Sequence, residues 1–223
     1  MSTTSIKSSP VGLTVGQKVI MALTGLFLCT FLVAHLAGNL QLFINDNGAA
    51  FNAYSEMMRT NPFIRIVEIL LFLSLPIHVI YAYRLAARNR AARPVGYAMN
   101  KPGENSTFYS RFMIWGGTLV LFFILLHLWQ FFFQHRILGS TETMYESTVK
   151  VLSNPVFATV YVLAQIFLAW HLCHGFQSAF QTLGLQINTK TGKAIKTAGY
   201  AFGILIPAGF ASIPLYFLFR QVF

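Results

Sequence analysis

The chain has 223 residues, of which 55% are hydrophobic and only 10% charged, and its mean hydropathy is +0.58. Soluble domains carry roughly 25% charged residues, so the composition excludes an ordinary water-soluble enzyme. A formal net charge of +10 would suit nucleic acid, but the charges fall in short stretches between long apolar runs, as membrane-protein loops carry them, and no nucleic-acid partner is expected.

The length suits one domain spanning 1–223. Five runs are long enough to cross about 30 Å of hydrocarbon, which takes about 20 helical residues. In chain order they cover approximately 17–43, 63–86, 111–134, 155–180 and 197–220. Lipid offers no partner for an unpaired backbone, so each is expected to be a helix and the fold an all-α integral membrane bundle. The first run is too long for a cleavable signal peptide and lacks a small-residue cleavage site. The connections are polar or glycine-rich, as in Asn45-Asp46-Asn47-Gly48 and Asn100-Lys101-Pro102-Gly103. Asn61-Pro62 and Asn154-Pro155 read as helix starts with proline in the first turn. Pro76, Pro207 and Pro214 lie inside apolar runs and should kink their helices. Cys29 and Cys173 lie in apolar runs without a CxxC pair and read as packing residues.

Basic residues set the expected orientation. Lys7, Lys18, Arg84, Arg88, Arg90, Arg93, Lys101, Arg111, Lys190, Lys193 and Lys196 gather on one side. Arg59, Arg65, Arg136, Lys150 and Arg220 lie on the other. The positive-inside rule then puts the N-terminus inside and the C-terminus outside.

Six histidines remain: His35, His78, His127, His135, His171 and His174. Each of the first four spans carries at least one, and polar groups at membrane depth face the bundle interior, in pairs or at functional sites. At 1.5 Å per residue, His35 lies about 25 Å beyond Lys18 and His127 about 24 Å beyond Arg111, both in the outer half. His78 lies about 9 Å from Arg84 and His171 about 24 Å beyond Pro155, both in the inner half. Two histidine pairs at two depths, about 15 Å apart, result. A bare metal usually adds carboxylates or thiolates, whereas two facing neutral imidazoles suit the axial positions of haem iron. Gly25, Gly116 and Gly117 fall about 15 Å inward of the outer histidines, level with the inner pair, where a porphyrin must pass the first and third helices. His35 to His78 spans 43 positions and His127 to His171 spans 44. The spacing hints at a duplicated hairpin, without enough matching residues to establish one.

Two stretches carry a family resemblance. Thr24-Gly25-Leu26-Phe27 through His35-Leu36-Ala37-Gly38-Asn39-Leu40, and His171-Leu172-Cys173-His174-Gly175-Phe176-Gln177-Ser178-Ala179-Phe180, resemble the cytochrome b membrane anchor of succinate dehydrogenase and fumarate reductase. The kind resembled is the single-chain, five-helix, di-haem one, along nearly the whole chain. The resemblance implies two haem b groups, with His35 and His127 on the distal haem and His78 and His171 on the proximal one. Its pattern of a ligand followed four residues on by glycine selects His171, before Gly175; His174 is the alternative ligand, a neighbour to the ligand or propionate, or an interfacial histidine. Also implied are a flavoprotein and an iron–sulfur subunit on the cytoplasmic face, in a bacterial inner membrane, serving the respiratory chain and tricarboxylic acid cycle. A quinone would be the redox partner, menaquinone ahead of ubiquinone. The chain has neither a dinucleotide fingerprint nor an iron–sulfur cysteine set, so enzyme activity would belong to the whole complex.

Further residues follow from position. Glu68, about 15 Å outward of His78, is the candidate for proton exchange with a quinol, with an Arg65 ion pair as the structural alternative and Glu56 as the substitute carboxylate. Arg84, Arg88 and Lys18 are candidates for proximal propionates or for docking the iron–sulfur subunit. His135, beside Arg136, is expected at the outer interface. The rival functions are a di-haem cytochrome of a hydrogenase or formate dehydrogenase, and a haem-free transporter using histidine proton relays.

Overall fold

The computed structural model describes residues 11–91 and 108–220, with side chains from 15 and 112 onward in the two segments. Lys7, Arg93, Lys101, the Asn100–Gly103 connection and the Arg111 side chain lie outside the described residues. Within them the chain is helical and holds five helices long and apolar enough to cross a membrane. Helix α1 covers Val11–Asn39 and ends in a 3-10 turn, Leu40–Phe43. α2 covers Ala49–Thr60 and α3 Pro62–Ala91. α4, Phe108–Leu128, continues through a π-helical turn, Trp129–Phe133, to Gln134–Arg136. α5 covers Met144–Leu152, α6 Pro155–Thr182 and α7 Thr189–Arg220. This is a multi-pass membrane protein.

The expected starts hold. Asn61 Oδ1 accepts from the amides of Phe63 at 2.9 Å and Ile64 at 3.3 Å. Asn154 Oδ1 does the same for Val156 at 3.0 Å and Phe157 at 3.3 Å. Each asparagine satisfies helix donors that have no carbonyl partner, and the following proline has no amide to lose. The helices outrun the apolar segments: α3 continues to Ala91 and α7 begins at Thr189. The arginines and lysines there are good helix formers whose charged ends reach water, so apolar length does not limit the helix.

α2 and α5 correct the expectation of loops between spans one and two and between three and four. Both are short amphipathic helices, and they pack together over one end of the bundle. Asn52 Oδ1 accepts from the Tyr145 amide at 2.9 Å. Gly48, at φ +83°, lies under the Tyr145 ring, where a side chain would be both strained and obstructed. Beneath this cap lies the main buried cluster: Leu42, Phe51, Leu152, Tyr161, Ile213 and Phe217.

α1 packs on α3, α4 on α6, and α1 on α6, while α3 and α4 touch only lightly. The four therefore form a ring in which α1 faces α4, and α3 faces α6, across the diagonals. α7 packs outside this ring, mainly on α6. At the α6–α7 contact a Cβ on Gly203 would stand 2.6 Å from Cys173 Sγ and 2.8 Å from its amide nitrogen. Cys173 therefore packs against α7, as expected, and Cys29 is likewise buried and free. Large apolar side chains such as Phe63, Ile66, Trp115, Phe122, Ile204 and Leu205 point outward, as they should where the surrounding solvent is hydrocarbon.

Candidate functional site

Four histidines, one from each of the first four spans, meet as two pairs, one on each diagonal. His35 of α1 faces His127 of α4, with ring centroids 5.8 Å apart and planes at 79°. His78 of α3 faces His171 of α6 at 6.2 Å and 77°. His174 is half-buried one turn beyond His171, and the ring opposite His78 belongs to His171.

The surroundings of the pairs differ. Around the inner pair are two helix backbones. A Cβ on Gly25 would stand 3.2 Å from His78 Cε1, and one on Gly117 would stand 3.2 Å from His171 Cε1. Both glycines thus lie level with the inner pair, and each clears an imidazole. Gly116 meets only the Phe167 carbonyl, at 4.0 Å. His78 Nδ1 lies 3.2 Å from the Met21 carbonyl and 3.4 Å from Thr24 Oγ1. The Thr24 hydroxyl donates to the Ile20 carbonyl at 2.8 Å. A carbonyl only accepts, so the proton belongs on His78 Nδ1 and the Nε2 lone pair is free. His171 Nδ1 is buried, and its ring interacts with the backbone of Met113, as His78 does with that of Met21.

Around the outer pair are aromatic rings and amides. Phe31 stacks on His35 at 5.1 Å, and Phe210 of α7 lies 5.6 Å from it. His127 is flanked by Phe131 at 5.1 Å and Phe123 at 6.0 Å. His127 Nδ1 lies 3.4 Å from the Tyr161 hydroxyl, which donates to Gln130 Oε1 at 2.7 Å. The Asn39 amide nitrogen donates to the His35 carbonyl at 2.8 Å and stands 3.4 Å from His35 Nδ1. His35 is thus the one ring whose Nδ1 faces an amide donor; freeing its Nε2 for a metal requires that contact to release or turn.

The donor set can be tested for fit. Two metal–imidazole bonds of about 2 Å, plus roughly 1 Å from each nitrogen to its ring centre, put axial rings about 6 Å apart. Both observed separations match that span. Among the described residues no group of three or more His, Cys, Asp or Glu is placed to hold a metal ion. Each pair could therefore complete a metal that brings its own equatorial ligands, as haem iron does.

The remaining candidates lie away from the pairs. Glu68 forms an ion pair with Arg65, and Arg136 Nη2 is 3.9 Å from the same carboxylate oxygen. Glu56 is exposed and paired with Arg59 at 2.5 Å. Arg84 and Lys18 are exposed, and Arg88 donates to Gln17 Oε1 at 2.8 Å. His135 Nε2 lies 3.0 Å from Ser147 Oγ, which donates to Glu142 at 3.1 Å. Tyr161, Gln130 and Asn39 are neighbours of the pairs that the sequence did not single out. Tyr161 is a lone tyrosine in an apolar run, and its link to Gln130 crosses two helices.

A five-span helical membrane protein with two histidine pairs across its interior is what fold and site define. Residues 86–206, more than half of the chain, match the succinate dehydrogenase/fumarate reductase transmembrane subunit family, and the chain belongs to that family. The match takes in all of α4, α5 and α6 and ends within α7, so it covers His127 and His171 but not His35 and His78. No curated protein and no solved structure matches the chain.

With the helices in place, an internal repeat becomes visible. Met21, Gly25, Phe31 and His35 correspond to Met113, Gly117, Phe123 and His127, each 92 positions on. Gly25 faces His78 as Gly117 faces His171, and Phe31 and Phe123 each flank the histidine four residues later. The first hairpin thus repeats in geometry the one that the family match covers.

Proposed function

We propose that this chain is the di-haem cytochrome b anchor of a succinate:quinone or fumarate-reducing complex, carrying electrons between an iron–sulfur subunit and a membrane quinone. The observation that carries the proposal is the pair of crossed histidine contacts, at 5.8 and 6.2 Å, with a glycine against each inner ring. His78 and His171 would hold the proximal haem b, and His35 and His127 the distal one. When bound, haem supplies a one-electron carrier at each level. Met21 keeps the proton on His78 Nδ1, so the ring presents Nε2 to the diagonal. Gly25 and Gly117 let the inner rings approach the opposite backbones without displacement. The phenylalanines beside His35 and His127 exclude water from the outer level.

The basic residues at the inner ends of α1 and α3, Lys18, Arg84 and Arg88, would lie in the cytoplasm, near the iron–sulfur subunit and the proximal propionates. The flavoprotein would sit beyond that subunit. This orientation rests on the positive-inside rule, and the membrane would be a bacterial inner membrane. A quinone, with menaquinone preferred, would react near the outer level. Family membership favours this assembly over a hydrogenase or formate dehydrogenase cytochrome.

The test is a reduced-minus-oxidised spectrum of the purified complex, with haem counted per chain. Two b-type haems are expected, with the inner one lost in His78→Ala or His171→Ala and the outer one in His35→Ala or His127→Ala. A complex with no b-type absorption would end the proposal. If His174→Ala lost a haem that His171→Ala retained, the fourth ligand would be reassigned.

A further inference from the structure

The hydroxyl of Tyr161 is buried beside the outer pair, and its hydrogen-bonding capacity is nearly fully assigned. It has one proton, and that proton is directed at Gln130 Oε1, 2.7 Å away. What remains toward His127 Nδ1, at 3.4 Å, is a lone pair. The imidazole must then carry its proton on Nδ1 and donate it to Tyr161. Phe123, edge-on to the Tyr161 ring at 4.8 Å and 86°, holds the phenol in place. Gln130 comes from the π-helical turn Trp129–Phe133, immediately after the helix that carries His127. Such turns re-aim side chains within a helix and recur at functional sites.

We infer that Tyr161, oriented by Gln130, is a positioning residue that fixes the His127 ring and sets the outer haem's potential apart from the inner one's. The inference rests on the di-haem proposal and deepens it. At the inner level the groups beside the histidines are backbone, the Met21 carbonyl at His78 Nδ1 and the backbone of Met113 at His171. At the outer level the acceptor is a side chain. An acceptor on Nδ1–H makes the imidazole a more basic ligand and stabilises the oxidised metal. A hydroxyl whose own proton is donated onward is a better acceptor, because linked hydrogen bonds polarise one another. Tyr161 therefore holds the outer potential lower than an unassisted imidazole would.

The experiment is an optical redox titration of the intact complex carrying Tyr161→Phe, which removes one oxygen and keeps the ring contacts. The outer wave should move to more positive potential and the inner wave should stay. Low-temperature electron paramagnetic resonance should show a changed signal for the outer haem alone, a readout that simple loosening of the core would not confine to one centre. Gln130→Leu leaves the hydroxyl but removes its orientation, and should move the same wave in the same direction by less. It also serves as the reporter if Tyr161→Phe assembles poorly. Two haems with both waves unmoved in both variants would overturn the inference and leave the di-haem proposal standing. Movement of the inner wave would put Tyr161 at the wrong level. A shift to more negative potential would mean that the hydroxyl donates to His127, which reverses the stated polarity. Absence of haem from the unaltered complex would sink both.

Discussion

A methyl group at position 117 would stand 3.2 Å from Cε1 and 3.3 Å from Nδ1 of His171. Carbon contacts that close force the neighbour to give by a few tenths of an ångström, and that neighbour is a proposed ligand whose orientation is the point of the site. Gly117→Ala should therefore disturb the inner haem selectively, seen as a changed inner spectrum with the outer one intact. Gly117→Leu adds overpacking of about 1–3 kcal/mol and should lose the inner haem. Equal loss at both levels would mean that the glycine serves general helix packing. The four paired histidines were legible in the sequence because 1.5 Å per residue turns position into depth. The same arithmetic put Gly25 and Gly117 at the inner level. It could not distinguish Gly117 from Gly116, since which of two adjacent glycines faces a ring depends on helix rotation. Nor could it find Tyr161, whose meaning comes from Gln130 on another helix.

The spans were readable because lipid permits little besides helix; α2 and α5 were not, because helices of 12 and 9 residues are too short to span and only their amphipathic period marks them. One local signal for α5 was present. Thr143 and Glu146 form a reciprocal cap: the Thr143 side chain accepts from the Glu146 amide at 3.2 Å, and the Thr143 amide donates to Glu146 at 2.7 Å. A second carboxylate ties α5 to its surroundings: Lys150 donates to Glu142 at 2.6 Å and Ser147 at 3.1 Å. These bonds hold the Glu142 carboxyl below the usual carboxylate range, Lys150 contributing most, then Ser147, with His135 nearby adding to the effect. Backbone and side-chain bonds from Thr143 lower Glu146 in the same way. A carboxyl depressed in the folded state contributes stability above its unfolded value, roughly 4.3, and loses it as pH falls through the folded value. Protection of the Met144–Leu152 amides from hydrogen exchange, measured against the intrinsic rate at each pH, should therefore fall below about pH 4 while α6 stays protected. Glu142→Gln with Glu146→Gln should abolish that pH dependence. A flat profile in the unaltered protein would show that α5 is held by Tyr145 and the buried cluster alone.

At the scale of the whole molecule, the two histidine levels lie about 15 Å apart, half of a hydrocarbon layer about 30 Å thick. Moving one charge across the full membrane field is worth about 2.3 kcal/mol per 100 mV, so transfer between levels should cost or yield about half of that. Whether protons cross as well depends on where the quinone exchanges them, and Glu68 is the outer carboxylate on which the two accounts divide. Its ion pair with Arg65, and Arg136 at 3.9 Å, make it a strut between the outer ends of α3 and α4. About a third of its side chain remains exposed (29%), so the pair is not sealed from protons or from a quinone headgroup. In the proton-exchange account, Glu68→Gln in the assembled complex should abolish quinone-linked turnover while leaving both haems and succinate oxidation by an artificial dye unchanged. In the strut account, turnover should persist and the loss should appear as lower thermal stability. An exposed i,i+3 pair is worth only a few tenths of a kcal/mol, and two arginines around one carboxylate would raise that without approaching the cost of a broken core. Arg136→Gln separates the cases further. It weakens the strut but leaves the carboxylate, so it should cost stability without stopping turnover if Glu68 exchanges protons. Loss of turnover in both variants, with haem content intact, would instead make the charge cluster as a whole the quinone-facing element.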